Sequence, residues 1–258
     1  MPSDPNNQTF PNDAFISYSR KDKEFAARLQ ETLGKYKPPK GLNLPQRNLV
    51  VFRDEEDFTG VEYHASLEKH LKNSRKMIVI CSPHARKSQY VNDEIRLFAQ
   101  ERGTENIIPV LVSGIANNEA KPEQEEEKAF PEALCEIMEM PLAASYVGFD
   151  SKKQDKVNKG VFYGAWYKIL ADLYDISRNE IEERDKRRQA RQRNILIMTV
   201  SAVFLIVTSL AAYAWIQKSE AEKRMRIAQA QQLAAQSKLH QLTHAGNYYG
   251  FHDLMEAP

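Results

Sequence analysis

The chain lacks most of the devices by which a sequence declares a metal site, a disulfide scaffold or a nucleotide cradle. It has two cysteines, Cys81 and Cys135, in 258 residues. Neither has metal-ligand spacing and both lie in apolar contexts, so the expectation is a reduced compartment with two buried thiols. The six histidines are scattered away from any carboxylate cluster, and no metal site is expected. Neither Gly-x-Gly-x-x-Gly nor Gly-x-x-x-x-Gly-Lys-[Ser/Thr] occurs, which excludes a dinucleotide cradle of that type and a P-loop. No Ser/His/Asp order suggests a hydrolase nucleophile. The formal net charge is +1, so nothing global argues for nucleic acid as a partner.

One stretch does lack something informative. Ile195–Ile216 carries no charged residue over 22 positions, and as a helix it would run about 33 Å, enough for a hydrocarbon core of about 30 Å. It is too late and too long for a cleavable signal peptide, and no apolar segment near Met1 serves as one. Before it come Arg184, Lys186, Arg187, Arg188, Arg191 and Arg193; after it come Lys218, Lys223, Arg224 and Arg226. The richer side stays in the cytoplasm, so the preceding residues are expected in the cytoplasm, held at the inner membrane by one span. Tyr213 and Trp215 suit an interfacial anchor. The expected organisation is a disordered lead-in over 1–11, a globular domain over 12–160, and a helix with a basic juxtamembrane segment over 161–193. The span at 194–216 and a helical, then disordered, tail at 217–258 complete it. That tail is too short and polar for an independent domain.

Ahead of the span, short apolar runs alternate with amphipathic stretches. Ala14–Ser17, Leu49–Phe52, Met77–Cys81, Ile107–Val112 and Ala144–Val147 read as strands. Met77–Cys81 and Ile107–Val112 have no polar alternation, the mark of strands covered on both faces. Helices are expected at Asp22–Tyr36, Val61–Asn73, Asn92–Arg102 and Phe130–Met138, with one long helix from Gly164 to Arg193. Lys121–Lys128 reads as a solvated acidic loop. The pattern predicts an α/β fold with a flavodoxin-like, five-stranded parallel sheet in the order 2-1-3-4-5.

Ligands of such sheets bind beyond the carboxyl ends of the strands. Collected there are Ser17, Tyr18, Ser19 and Arg20 after the first strand, Arg53 to Gly60 after the second, and Ser82, Pro83 and His84 after the third. Glu94 follows on the next helix. Alone, Glu94 reads more readily as a first-turn carboxylate that steadies a helix N-terminus than as a catalytic group. Arg20 reads equally as a solvated charge, Tyr90 as packing, and Arg53, Asp54 and Asp57 as a solvated loop.

Five segments in order give these residues a second reading. Asp13–Ser19, Phe52–Gly60, Ile78–Pro83, Tyr90–Ile95 and Asn106–Val110 resemble the strand and loop motifs of Toll/interleukin-1 receptor (TIR) domains, covering roughly residues 12 to 150. With Phe130–Leu134, Asn179–Asp185, the basic stretch and the span, the chain is similar to bacterial membrane-anchored TIR proteins, in which WD40 or tetratricopeptide repeats often follow the span. The resemblance implies cleavage of the nicotinamide–ribose bond of NAD+, with NAD+ as substrate and no cofactor. It implies Glu94 as the catalytic carboxylate and Phe15, Ser17, Tyr18, Arg20, Ser82 and Tyr90 as substrate contacts, Tyr90 standing where a tryptophan is common. It further implies a self-association loop with Arg53, Asp54, Asp57 and Gly60, other TIR domains as partners, a homo-oligomer, and a role in bacterial defence or stress signalling. The alternative it allows is a TIR adaptor that recruits other TIR domains without catalysis.

Overall fold

The computed structural model describes residues 10–53 and 68–252. Five parallel strands form one sheet: β1 (Asn12–Ser17), β2 (Val51–Arg53), β3 (Ser74–Cys81), β4 (Ile107–Leu111) and β5 (Ala144–Ser145), in the order β2-β1-β3-β4-β5. The helices are α1 (Lys23–Lys35), α2 (Pro83–Arg86), α3 (Gln89–Arg102), α4 (Glu132–Ile137), α5 (Tyr163–Tyr174) and α6 (Arg178–His252). Residues 68–72 are also helical. The expected fold class and strand order are those observed.

Register explains why each face needs helices. Ala14, Phe15 and Ile16 pair with Lys76, Met77 and Ile78, which puts alternate residues of adjacent strands on common faces. Ala14, Ile16, Ile78, Ile80, Ile108 and Val110 pack under Leu29 and Leu33 of α1 and Trp166 and Leu170 of α5. Phe15, Met77, Val79, Cys81 and Ile107 pack under Val91, Ile95 and Phe98 of α3 and Leu134 of α4. β3 has no wet face, as its unbroken apolar run requires. Pro109 is accommodated because β5 pairs with β4 only at Val110 and Leu111, beyond it.

Polar anchors lock the amino ends of the strands. Asp13 accepts a forked pair from Arg47, at 2.6 and 2.8 Å, and the Val50 N–H at 2.7 Å, so one carboxylate seats β2 against β1. Lys76, itself buried, reaches Asp175 at 2.5 Å, and Arg75 joins it at 3.1 Å.

Several expectations need correction. Gly164–Arg193 is two helices: Asp175 adopts a left-handed conformation (φ 55°) that ends α5, and α6 begins at Arg178. The first turns of α6 belong to the domain core, since Ile181 is fully buried and buried Asp185 accepts the Tyr167 hydroxyl at 2.9 Å. Lys121–Lys128 is solvated as expected, and holds a 3₁₀ segment, Pro122–Glu127, whose Glu125 and Glu126 pair with Arg86 and Lys87 of α2 and the adjoining turn. Only one thiol is buried: Cys81 is inside and Cys135 exposed. The tail is helical through His252, past the expected break at Asn247.

The chain divides into two compact units, residues 1–189 and 190–258. The second holds the uncharged run, within a helix long and apolar enough to cross a bilayer. Its large apolar side chains, Phe204, Leu205 and Trp215 among them, are exposed, so it is no core helix.

Asp13→Ala removes three hydrogen bonds at once and leaves the Arg47 guanidinium without its counter-charge. The expected cost is about 2 kcal/mol, a fall in Tm of roughly 4–8 °C, read by thermal unfolding of wild type and variant in the same detergent.

Candidate functional site

The site is built at the carboxyl ends of β1, β2 and β3. Ser17 closes β1 on the α3 face of the sheet, the same face as Phe15. Its Oγ donates a 2.5 Å hydrogen bond to Glu94 Oε2. Both residues are buried, Ser17 1 % and Glu94 6 % exposed. Such short O–H···O⁻ bonds are charge-assisted and fix the acceptor's orientation.

The helix that carries Glu94 begins earlier than expected. Ser88 is its N-cap, accepting the Val91 N–H at 3.4 Å, so the first residue is Gln89 rather than Asn92. Glu94 therefore lies in the second turn, and no acidic residue occupies the first. The reading of Glu94 as a first-turn carboxylate is removed. Tyr90, four positions earlier, shares its helix face and is 65 % exposed. An exposed aromatic one turn above a buried carboxylate is the local pattern.

Asn92, expected to open the helix, does something else. Its amide donates to the carbonyls of Arg86 and Ser88 at 3.1 and 2.8 Å and accepts the Ala133 N–H at 2.8 Å. One buried side chain thus fastens α2, α3 and α4 together beside Glu94.

The sheet separates the remaining expected residues. Tyr18 and Arg53 lie on the α1 face: Arg53 Nη1 donates to the Tyr18 hydroxyl at 2.9 Å, and its Nε to Gln30 of α1 at 3.1 Å. The guanidinium also sits 5.4 Å from the Tyr18 ring centroid. Arg53 is buried in β2, which corrects its assignment to a solvated loop. Asp54, Asp57 and Gly60 lie outside the described residues. Phe15 is 1 % exposed and stacks on Phe52 with centroids 5.9 Å apart, so it forms the floor beneath Ser17 rather than a wall of the crevice. Arg20 is exposed at the start of a 3₁₀ turn, Arg20–Asp22.

Ser82 is fully buried and committed. Its hydroxyl donates to Asp22 Oδ2 at 2.6 Å and accepts the Ala85 N–H at 3.0 Å, capping α2. This ties the turn that bears Arg20 to the exit of β3. Asp22 was expected only as the first residue of a helix; no periodicity marks a carboxylate whose partner lies 60 residues away. Burial raises its pKa above the ordinary 3.8, opposed by the Ser82 hydrogen bond and the nearby His84.

Two cavities lie at the opposite, amino end of the sheet. One of about 260 Å³ is lined by Asp13, Arg47, Arg75 and Tyr174; another of about 410 Å³ by Glu105, Ile108, Lys168 and Asp172. Neither contains Glu94, Ser17 or Tyr90. Among the described residues no group of His, Cys, Asp and Glu is placed to hold a metal.

The TIR-domain family profile matches residues 14–130, the segment that holds β1 to β4 and the Ser17–Glu94 pair. Residues 14–130 form a TIR domain. Among curated proteins, the chain is 28 % identical over 215 residues to NAD(+) hydrolase ApTIR of Actinoplanes sp.. The alignment covers 79 % of this chain but 29 % of that relative, so the chain spans less than a third of its length. Among solved structures, similarity extends to the TIR domain of the Toll-related receptor TRR-2 of Hydra magnipapillata, at 16 % identity and a TM-score of 0.37, covering 63 % of this chain and 98 % of that one. It extends also to the TIR domains of the activated Roq1 resistosome that recognises the effector XopQ, at 16 % identity and a TM-score of 0.38, covering 62 % and 98 %.

The raised pKa of Asp22 has a signed consequence for the TIR domain. A carboxyl that binds its proton more tightly when folded contributes stability that is complete below pH 3.8 and lost as pH rises through the folded value. Asp22→Asn keeps an acceptor for Ser82 and cannot ionise. Its Tm relative to wild type should therefore be more favourable at pH 7 than at pH 3, in paired melts across that range. A pH-independent difference would contradict the assignment.

Proposed function

We propose that this TIR domain hydrolyses NAD+ at the nicotinamide–ribose bond, with Glu94 as the catalytic carboxylate. The observation that carries the reading is the buried Glu94 carboxylate, oriented by Ser17 Oγ at 2.5 Å, one helical turn below the exposed Tyr90. The similarity to a relative in Actinoplanes named an NAD(+) hydrolase supports the same chemistry.

The reaction asks little proton chemistry of the protein. The C1′–N bond breaks and its electron pair leaves with nicotinamide, which departs neutral and needs no general acid. Positive charge develops on C1′ and the ring oxygen, as in other glycoside cleavages. A carboxylate held in a water-poor setting stabilises that charge far more than one in bulk solvent, without reorganising as the charge forms. Water then adds to C1′ and loses a proton to solvent, giving ADP-ribose, nicotinamide and H⁺. Tyr90 offers a flat face for the departing ring or the adenine. Arg20, exposed at the strand end, offers a fork suited to the pyrophosphate.

In this proposal the span 194–216 fixes the domain at the cytoplasmic membrane, and self-association with other TIR domains raises activity, in bacterial defence or stress signalling.

The test is nicotinamide release by the full-length chain in lipid nanodiscs, wild type against Glu94→Gln. The variant preserves shape and an acceptor for Ser17 Oγ. Release should fall at least ~100-fold with far-UV circular dichroism unchanged. Chromatography of the wild-type products separates linear from cyclic ADP-ribose species. Equal release by the two proteins would remove Glu94 from the chemistry. No release by wild type, even at high density, would leave the adaptor function.

A further inference from the structure

The connection between α1 and β2 presents Lys37 and Lys40, both exposed, on either side of buried Pro38 and Pro39. Two guanidiniums of α6 lie against it. Arg188 Nη1 donates to the Lys37 carbonyl at 2.9 Å. Arg184 lies over Gly41, whose φ is +90° and where a Cβ would come within 2.8 Å of Arg184 Nη1. Arg184 and Arg188 are four residues apart and share one helix face. Both are exposed.

Apart from exposed Glu180, one turn before Arg184, the acidic residues of this region are engaged elsewhere. Glu31 pairs with Lys35, Glu182 with Lys186 and Glu183 with Arg187. Asp185 faces inward and accepts the Tyr167 hydroxyl. Among the described residues, Lys37, Lys40, Arg184 and Arg188 are thus gathered with no carboxylate in ion-pair contact, an arrangement that repels itself until an anion joins it. The chain supplies the context for that anion: the uncharged run begins seven residues after Arg188, with Arg191 and Arg193 between. Basic residues beside a span are drawn to anionic phospholipid within about a Debye length.

We infer that Lys37, Lys40, Arg184 and Arg188 form a docking surface for anionic phospholipid headgroups. This rests on the membrane-anchored reading above and is independent of the catalytic one. The fork of each arginine suits a phosphodiester, and the two lysines add point charges.

The experiment uses the wild-type full-length chain in nanodiscs of phosphatidylcholine alone or with a third phosphatidylglycerol. An amine-reactive acetylating reagent is applied, and labelling of Lys37 and Lys40 is measured by mass spectrometry against exposed Lys152 of the same chain. Labelling of Lys37 and Lys40 should be at least ~3-fold slower in the anionic discs at low salt. The difference should vanish at about 1 M salt, where the Debye length falls to about 3 Å. Equal labelling in the two lipids, with the chain retained in bilayers after alkaline extraction, would overturn the docking surface alone. Release of the chain by alkali would overturn the anchored reading and this inference with it.

Discussion

Everything in the first unit follows from β1 and β3 being apolar on both faces. A strand with no wet side must be sandwiched, so helices cover the sheet above and below. Once both faces are sealed, polar side chains can survive only at the strand ends. At the amino ends they become structural clamps, Asp13 with Arg47 and Lys76 with Asp175. At the carboxyl ends they gather as hydroxyls and carboxylates, Ser17 with Glu94 and Ser82 with Asp22. The two ends differ in character because the clamps are ion pairs between strands and flanking segments, whereas the carboxyl-end bonds tie strand exits to helices.

The architecture was legible because it is written in periodicity. Unbroken runs at Met77–Cys81 and Ile107–Val112 announced buried parallel strands, and the strand order followed from the alternation with helices. The site was legible in outline: Ser17, Arg20, Ser82 and Glu94 all lie at the expected end of the sheet. What stayed hidden was which residues face each other. Tyr18 and Arg53 were grouped with Ser17 by strand end alone, although alternation across the pleat puts Tyr18 on the face opposite Ser17. Burial was misjudged where charge was taken as a sign of solvent. Arg53 is inside because it meets its partners there. The break at Asp175 was invisible because a left-handed residue at a helix end is usually marked by glycine, and here an aspartate fills the role.

The small residues around Glu94 show how a single carboxylate is kept in place. Ser17 orients it from the sheet, and Asn92, two residues earlier on the same helix, nails the helix start to its neighbours through three backbone partners. Precision at the carboxylate is therefore shared between a strand hydroxyl and a helix-anchoring amide. A buried acid supported on two sides moves little, which is what electrostatic stabilisation of a transient cation demands.

The burial of Ile181 and Asp185 in the core has a practical corollary for where this domain ends. A fragment cut at the last residue of the family match would lose Trp166 and Tyr167 themselves. One cut at the close of α5 would remove Ile181 from the core it shares with them. It would also leave the Tyr167 hydroxyl without its carboxylate. The smallest piece that folds as the parent does should extend through the third turn of α6, so the autonomous unit reaches into the very helix that carries the apolar run.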